Sequence, residues 1–134
     1  MATIGRLDRG DGVELAWIRE EGQSPTMVFL PGFRSDMNGD KATALATDCA
    51  VHNQAMLRFD YSGHGASGGQ FADGTIGRWA EDALAIIDHA SEGPLLLVGS
   101  SMGGWIALLV ARARGRSVLS GWSASPQHPT SPRC

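Results

Sequence analysis

Apolar residues recur along the chain in two alternating rhythms, short runs and helical stripes. "VELAWI" (residues 13–18) follows the turn signal Gly10-Asp11-Gly12, so residues 4–7 and 13–18 read as a hairpin. "MVFL" (27–30) is a short all-apolar strand closed by Pro31-Gly32. From about residue 38 to 53, Ala42, Leu45, Ala46, Cys49 and Ala50 fall on one helical face. "AMLRFD" (55–60) is the next strand, followed by the glycine-rich "YSGHGASGGQ". Residues 78–90 are amphipathic, with Trp79, Ala83, Ile86, Ile87 and Ala90 facing in and Glu81, Asp82 and Asp88 facing out. After Pro94, "LLLVG" is apolar throughout, as a strand covered on both faces is. Residues 103–114 make the last helix, with Arg112 and Arg114 near the negative end of its dipole. This alternation predicts an α/β fold, a three-layer sandwich with a mostly parallel sheet.

Gly99-Ser100-Ser101-Met102-Gly103 interrupts the last strand and helix with the pattern Gly-x-Ser-x-Gly. A strand that turns sharply into a helix holds its central serine in strained backbone, and flanking glycines let neighbouring chain come close. The turn lifts the Ser101 hydroxyl above the sheet. The Met102 N–H, at the helix N-terminus, aims at the same spot and can bind a developing oxyanion. Placed between "LLLV" and "GGWIALLVARA", the motif reads as a catalytic nucleophile. "FLPGF" ends the strand before the first sandwich helix, and the Phe33 N–H is the candidate second oxyanion donor. The same Pro-Gly also serves simply to end a strand.

Composition fits this reading and narrows it. The chain has 134 residues, room for one domain, with 43% hydrophobic and 19% charged residues. A net charge of -3 gives no footprint for nucleic acid or an anionic membrane. No run approaches membrane-spanning length. Cys49 and Cys134 have no metal-ligand spacing, so a reducing compartment fits and no cofactor or metal is called for. "MATIGRLDRGDGVELAW" lacks an apolar signal core, from which a cytoplasmic location is expected.

Residues 63–68, "GHGASG", satisfy the dinucleotide pattern G-x-G-x-x-G. That pattern requires a helix opening inside it to meet a pyrophosphate, and here "GQFADGTIG" intervenes. The acidic positions about twenty residues on, Glu81 and Asp82, fall within a helix instead of at a strand end. Among the histidines, His89 lies on a helix surface, His52 near a helix end and His128 in a proline-broken tail. His64, in a loop at the carboxyl side of the sheet, either approaches Ser101 as a base or holds its glycine-rich loop in shape, and the second fits the residues better.

From residue 27 to 114 the chain resembles the α/β-hydrolase family. The strings "FLPGFRSDMNGDKATAL", "RFDYSGHGASGG", "IGRWAEDALAIIDHA" and "GPLLLVGSSMGGW" are similar to the branch of mitochondrial palmitoyl-protein thioesterase and acyl-glucuronide esterase and its bacterial relatives. The resemblance implies hydrolysis of a small-molecule ester or thioester by a Ser-Asp-His triad. Ser101 would be the nucleophile, and Met102 and Phe33 the oxyanion donors. The family's acid and histidine follow the serine in chain order, and nothing after Ser101 matches either. Residues 1–117 therefore read as the N-terminal part of a truncated α/β-hydrolase domain, and residues 118–134 as an aberrant tail. "SVLSGWSASPQHPTSPRC" is serine- and proline-rich, poor material for the expected parallel strand. In the neighbouring reading frame, permissible codons for residues 120–134 give an apolar strand and a loop. The expectation is a frameshifted, inactive fragment that self-associates through an unpaired sheet edge along "LLLV". The alternatives are a natural short chain with a divergent tail and a non-catalytic hydrolase-fold binding module.

Overall fold

The computed structural model describes residues 2–114 and the backbone of residues 118–119. Strands β1 (Ala2–Asp8), β2 (Glu14–Glu20), β3 (Gln23–Leu30), β4 (Gln54–Phe59), β5 (Leu95–Gly99) and β6 (Val118–Leu119) form one sheet in the order β1-β2-β4-β3-β5-β6. The β1–β2 and β2–β4 pairs are antiparallel, and the β4–β3, β3–β5 and β5–β6 pairs are parallel. Helices α1 (Asp40–Val51), α2 (Ile76–Ala90) and α3 (Met102–Arg114) cover it, with a short 3-10 turn at Phe71–Asp73. The three-layer α/β sandwich expected from the alternation is what forms.

Period-two alternation sorts each strand between the layers. Val28 and Leu30 of β3 join Leu57, Phe59, Leu95 and Leu97 under α2 and α3, which contribute Trp79, Ala83, Ile86, Ile87, Ile106 and Val110. Met27 and Phe29 point the other way, onto Ala42, Ala46 and Cys49 of α1. Helix α2 starts at Ile76, two residues before the amphipathic stretch read from the sequence, because the Thr75 side chain accepts the Arg78 N–H at 3.1 Å as an N-cap.

Three details depart from the sequence reading. Asp82, expected to face solvent, is fully buried. Its carboxylate pairs with the Arg9 guanidinium and accepts the Ser62 N–H at 2.8 Å. The partner comes from the β1–β2 turn, out of reach of a local helical pattern. Ala50, expected on the inner face of α1, is exposed, whereas Ala42, Ala46 and Cys49 are buried against the sheet and Leu45 is half-buried beside them. In β5, Leu95 and Leu97 are buried whereas Leu96 and Val98, on the α1 side, are half-buried. The β5 edge is not wholly open either: Leu95 and Leu96 pair with Val118 and Leu119. Residues 120–134, including His128 and most of the segment expected to be an aberrant tail, lie outside the described residues.

Candidate active site

The turn after β5 is built by close backbone approach. Ser101 adopts φ 53°, a left-handed conformation unusual for a non-glycine residue, and its side chain is exposed at the start of α3. Gly99 and Gly103 make the turn possible. A Cβ on Gly99 would lie 2.3 Å from the Gly103 carbonyl group, and one on Gly103 would lie 2.0 Å from the Leu30 carbonyl oxygen. Short bonds close the turn: the N–H groups of Gly103 and Gly104 donate to the Ser100 and Ser101 carbonyls, both at 2.9 Å, and the Ser100 N–H donates to Leu30 at 3.2 Å.

The same contacts bring the end of β3 to the elbow. A Cβ on Gly32 would sit 2.9 Å from the Ser100 oxygen and 3.6 Å from Ser101 Cβ. Phe33 follows directly, 54% exposed, with Arg34 in left-handed backbone at φ 59°. The structure thus brings Ser101 and Phe33 together on the wall of one cavity of about 300 Å³, with Ser100, Gly32, Asp36 and Lys41, and Met102 directly follows Ser101 as the first residue of α3. Lys41, at the start of α1, donates from Nζ to Ser100 Oγ at 3.0 Å. No motif marked Lys41 or Asp36: "SDMNGDK" has no spacing that singles them out, and only the fold carries them to the elbow.

Among the described residues no side chain hydrogen-bonds Ser101 Oγ. His64 is buried within a ring cluster of Tyr61, Phe71 and Trp79, with Nδ1 3.1 Å from the Ser62 carbonyl and Nε2 without a partner among the described residues. His52 follows the last turn of α1, and His89 is on the outer side of α2 against Trp17.

The Gly63–Gly68 loop is filled by its own chain. Asp60 accepts the Ala66 N–H at 2.8 Å and the Met37 N–H at 2.7 Å, and a Cβ on Gly65 would lie 2.3 Å from its carboxylate. Burial raises the Asp60 pKa above its ordinary value, against the lowering effect of these two N–H donors. Within the loop the Ala66 N–H goes to the Asp60 carboxylate and those of Gly63, His64, Ser67 and Gly68 go to backbone carbonyls, and no α-helix opens until Ile76. Among the described residues no group of three or more His, Cys, Asp or Glu side chains is placed to hold a metal.

A three-layer sandwich with an exposed, strained serine between a parallel strand and the following helix defines the α/β hydrolases. Comparison with known proteins agrees: the profile of the Alpha/beta hydrolase family matches residues 27–133, and the chain belongs to that family. It is 44% identical over 119 residues to mouse palmitoyl-protein thioesterase ABHD10, mitochondrial, covering 89% of this chain and 40% of that protein. The human protein of the same name is 46% identical over 118 residues, covering 88% and 39%. Among solved structures, alpha/beta hydrolase domain-containing protein 10 from mouse superposes with a TM-score of 0.86 at 43% identity, covering 90% of this chain and 48% of that one. A putative hydrolase from Agrobacterium vitis gives 0.80 at 40% identity, covering 93% and 51%. The chain thus spans about two-fifths of the curated relatives it matches.

These relatives correct the cytoplasmic location expected above, since the mouse and human proteins are named as mitochondrial. The expectation rested on the lack of an apolar signal core. Mitochondrial transit peptides are amphipathic and Arg-rich, so that lack does not bear on them. No helix of the described residues is long and apolar enough to cross a membrane.

Proposed function

We propose that the chain carries the nucleophile half of a serine hydrolase acting on small carboxylic esters or thioesters. The observation that carries this reading is the exposed Ser101 at φ 53°, at the cavity that Phe33 also lines. Ser101 attacks the acyl carbonyl, the Met102 and Phe33 N–H groups hold the oxyanion, and water then releases the acyl-enzyme. Similarity to the palmitoyl-protein thioesterases supports a thioester as substrate. Among the described residues no base stands at Ser101 Oγ; unactivated, the hydroxyl keeps its proton at neutral pH and turnover is expected to be low. The same observation supports a second reading, a hydrolase-fold module without catalysis.

The test extends the chain beyond residue 117 by reading its DNA in the neighbouring frame, then assays an activated short ester and a thioester. Activity lost by several orders of magnitude in Ser101→Ala and kept in Ser100→Ala is the expected result. Loss in Ser100→Ala alone refutes the assignment of the nucleophile. An extended chain with no hydrolysis of either substrate supports the non-catalytic module.

A further inference from the structure

The geometry points to Lys41 as the residue that supplies positive charge to the Ser101 elbow, supporting the negative charge that develops there. This rests on Ser101 being the nucleophile. Lys41 stands at the start of α1, and its ammonium is fixed by the 3.0 Å bond to Ser100 Oγ, one residue from Ser101 and on the wall of the same cavity. An ammonium has three donors, and Ser100 takes one.

Five of the eight arginines among the described residues are held by carboxylates. Arg6, Arg9, Arg19, Arg78 and Arg114 each lie beside a carboxylate. Lys41 enters no ion pair among the described residues. Two carboxylates share its cavity, and each is held locally. Asp36 accepts the Asn38 N–H at 2.8 Å, and Asp40 sits in the first turn of α1, where the helix dipole favours an anion. Arg34 adds a second cation beside Phe33, its guanidinium 4.9 Å from the centre of the Phe71 ring and in no ion pair among the described residues. The N-terminus of α3, directly after Ser101, adds a partial positive charge. Asp36 and Asp40 oppose these three. Lys41 is the one that a hydrogen bond holds to the elbow itself.

The test puts a titratable probe where the hydroxyl is. In the full chain with Cys134→Ser, leaving Cys49 buried, Ser101→Cys introduces a thiol whose pKa is read from the pH dependence of alkylation by neutral iodoacetamide. Lys41→Gln keeps a donor for Ser100 but loses the charge. It is expected to raise the thiol pKa by about half a unit to one unit, the effect of one charge several ångströms away near water. Lys41→Arg keeps the charge and leaves the pKa near the parent value. An unchanged pKa in Lys41→Gln, or a change only in the limiting thiolate rate, overturns the inference and leaves Lys41 a packing residue. A Ser101→Cys thiol that iodoacetamide cannot reach in the folded chain instead overturns the nucleophile reading, and the inference with it.

Discussion

Alanine placed at Gly103 and at Gly77 tests the construction of the elbow, because one substitution should have opposite signs at two helical positions. Both glycines lie near helix starts, where replacing glycine gains up to about 1 kcal/mol of intrinsic helix propensity. At Gly77 the new methyl meets only Thr75 Oγ1 at 3.9 Å, an ordinary contact, so the gain is kept. At Gly103 it would lie 2.0 Å from the Leu30 oxygen and 2.7 Å from the Pro31 oxygen. Those are backbone atoms, which cannot rotate away, so α3 must lift off β3. Overpacking of this kind costs about 1–3 kcal/mol or more. The two variants should therefore differ by about 2–4 kcal/mol, a large share of the roughly 5–15 kcal/mol that holds a domain together. In urea this separates their midpoints by about 1–2 M, with Gly77→Ala above the parent and Gly103→Ala below it. Equal stabilisation by both would refute the close approach of α3 to the end of β3.

Three further outcomes follow from buried polar groups. Asp82→Ala leaves the buried Ser62 N–H unpaired while Arg9 keeps Asp11 and Glu81 as partners, costing about 1–3 kcal/mol in urea denaturation. Glu81→Ala, one residue away and exposed, should change the midpoint little. Asp60 has its folded pKa raised above 3.8, so the native state binds its proton more tightly than the unfolded chain does. Its contribution is present at low pH and lost as pH rises through the folded value; urea midpoints across that range should show Asp60→Asn gaining on the parent with rising pH. Tyr61, the sole tyrosine, is buried, donates to the Pro31 carbonyl at 2.9 Å and has its pKa pushed well above 10. Tyrosinate absorbance should therefore appear in alkali together with loss of helical circular dichroism, and an earlier, separate titration would contradict the burial.

The elements legible in the sequence were those whose evidence is local. Trp79, Ala83, Ile86, Ile87 and Ala90 share one face by spacing alone, and α2 buries that face. The elbow was legible for the same reason, since Gly99, Ser101 and Gly103 are neighbours along the chain. What escaped was non-local. Asp82 looks like an outward residue until Arg9 arrives from a turn near the other end of the chain. Lys41 reaches Ser100 only after α1 has folded over the β3–β5 pair. Asp60 joins two loops that no motif connects, through Met37 and Ala66. Charged residues carry little positional information in a pattern of apolar spacing, because a polar residue at an inward position is read as a fault in the pattern until its partner is known.

The register of β3 against β5 explains how the elbow is assembled with no base beside it among the described residues. Leu30 lies opposite Gly99 in a parallel pair, so the residues that leave the two strands, Pro31 to Phe33 and Ser100 to Met102, emerge side by side. A slip of one residue would move them apart by about 3.3 Å and turn every side chain of β5 to the opposite layer. Leu95 and Leu97 would then leave the α2–α3 core for the α1 side, where Leu96 and Val98 are only half-buried. Gly103 against the Leu30 oxygen and Gly32 against the Ser100 oxygen allow the tight fit at this register. Ser101, Met102 and Phe33 are thus held by apolar packing and backbone approach within the described residues. On the proposed reading, a histidine and an acid delivered from elsewhere would meet a serine already in place, so the position of Ser101 would not depend on them.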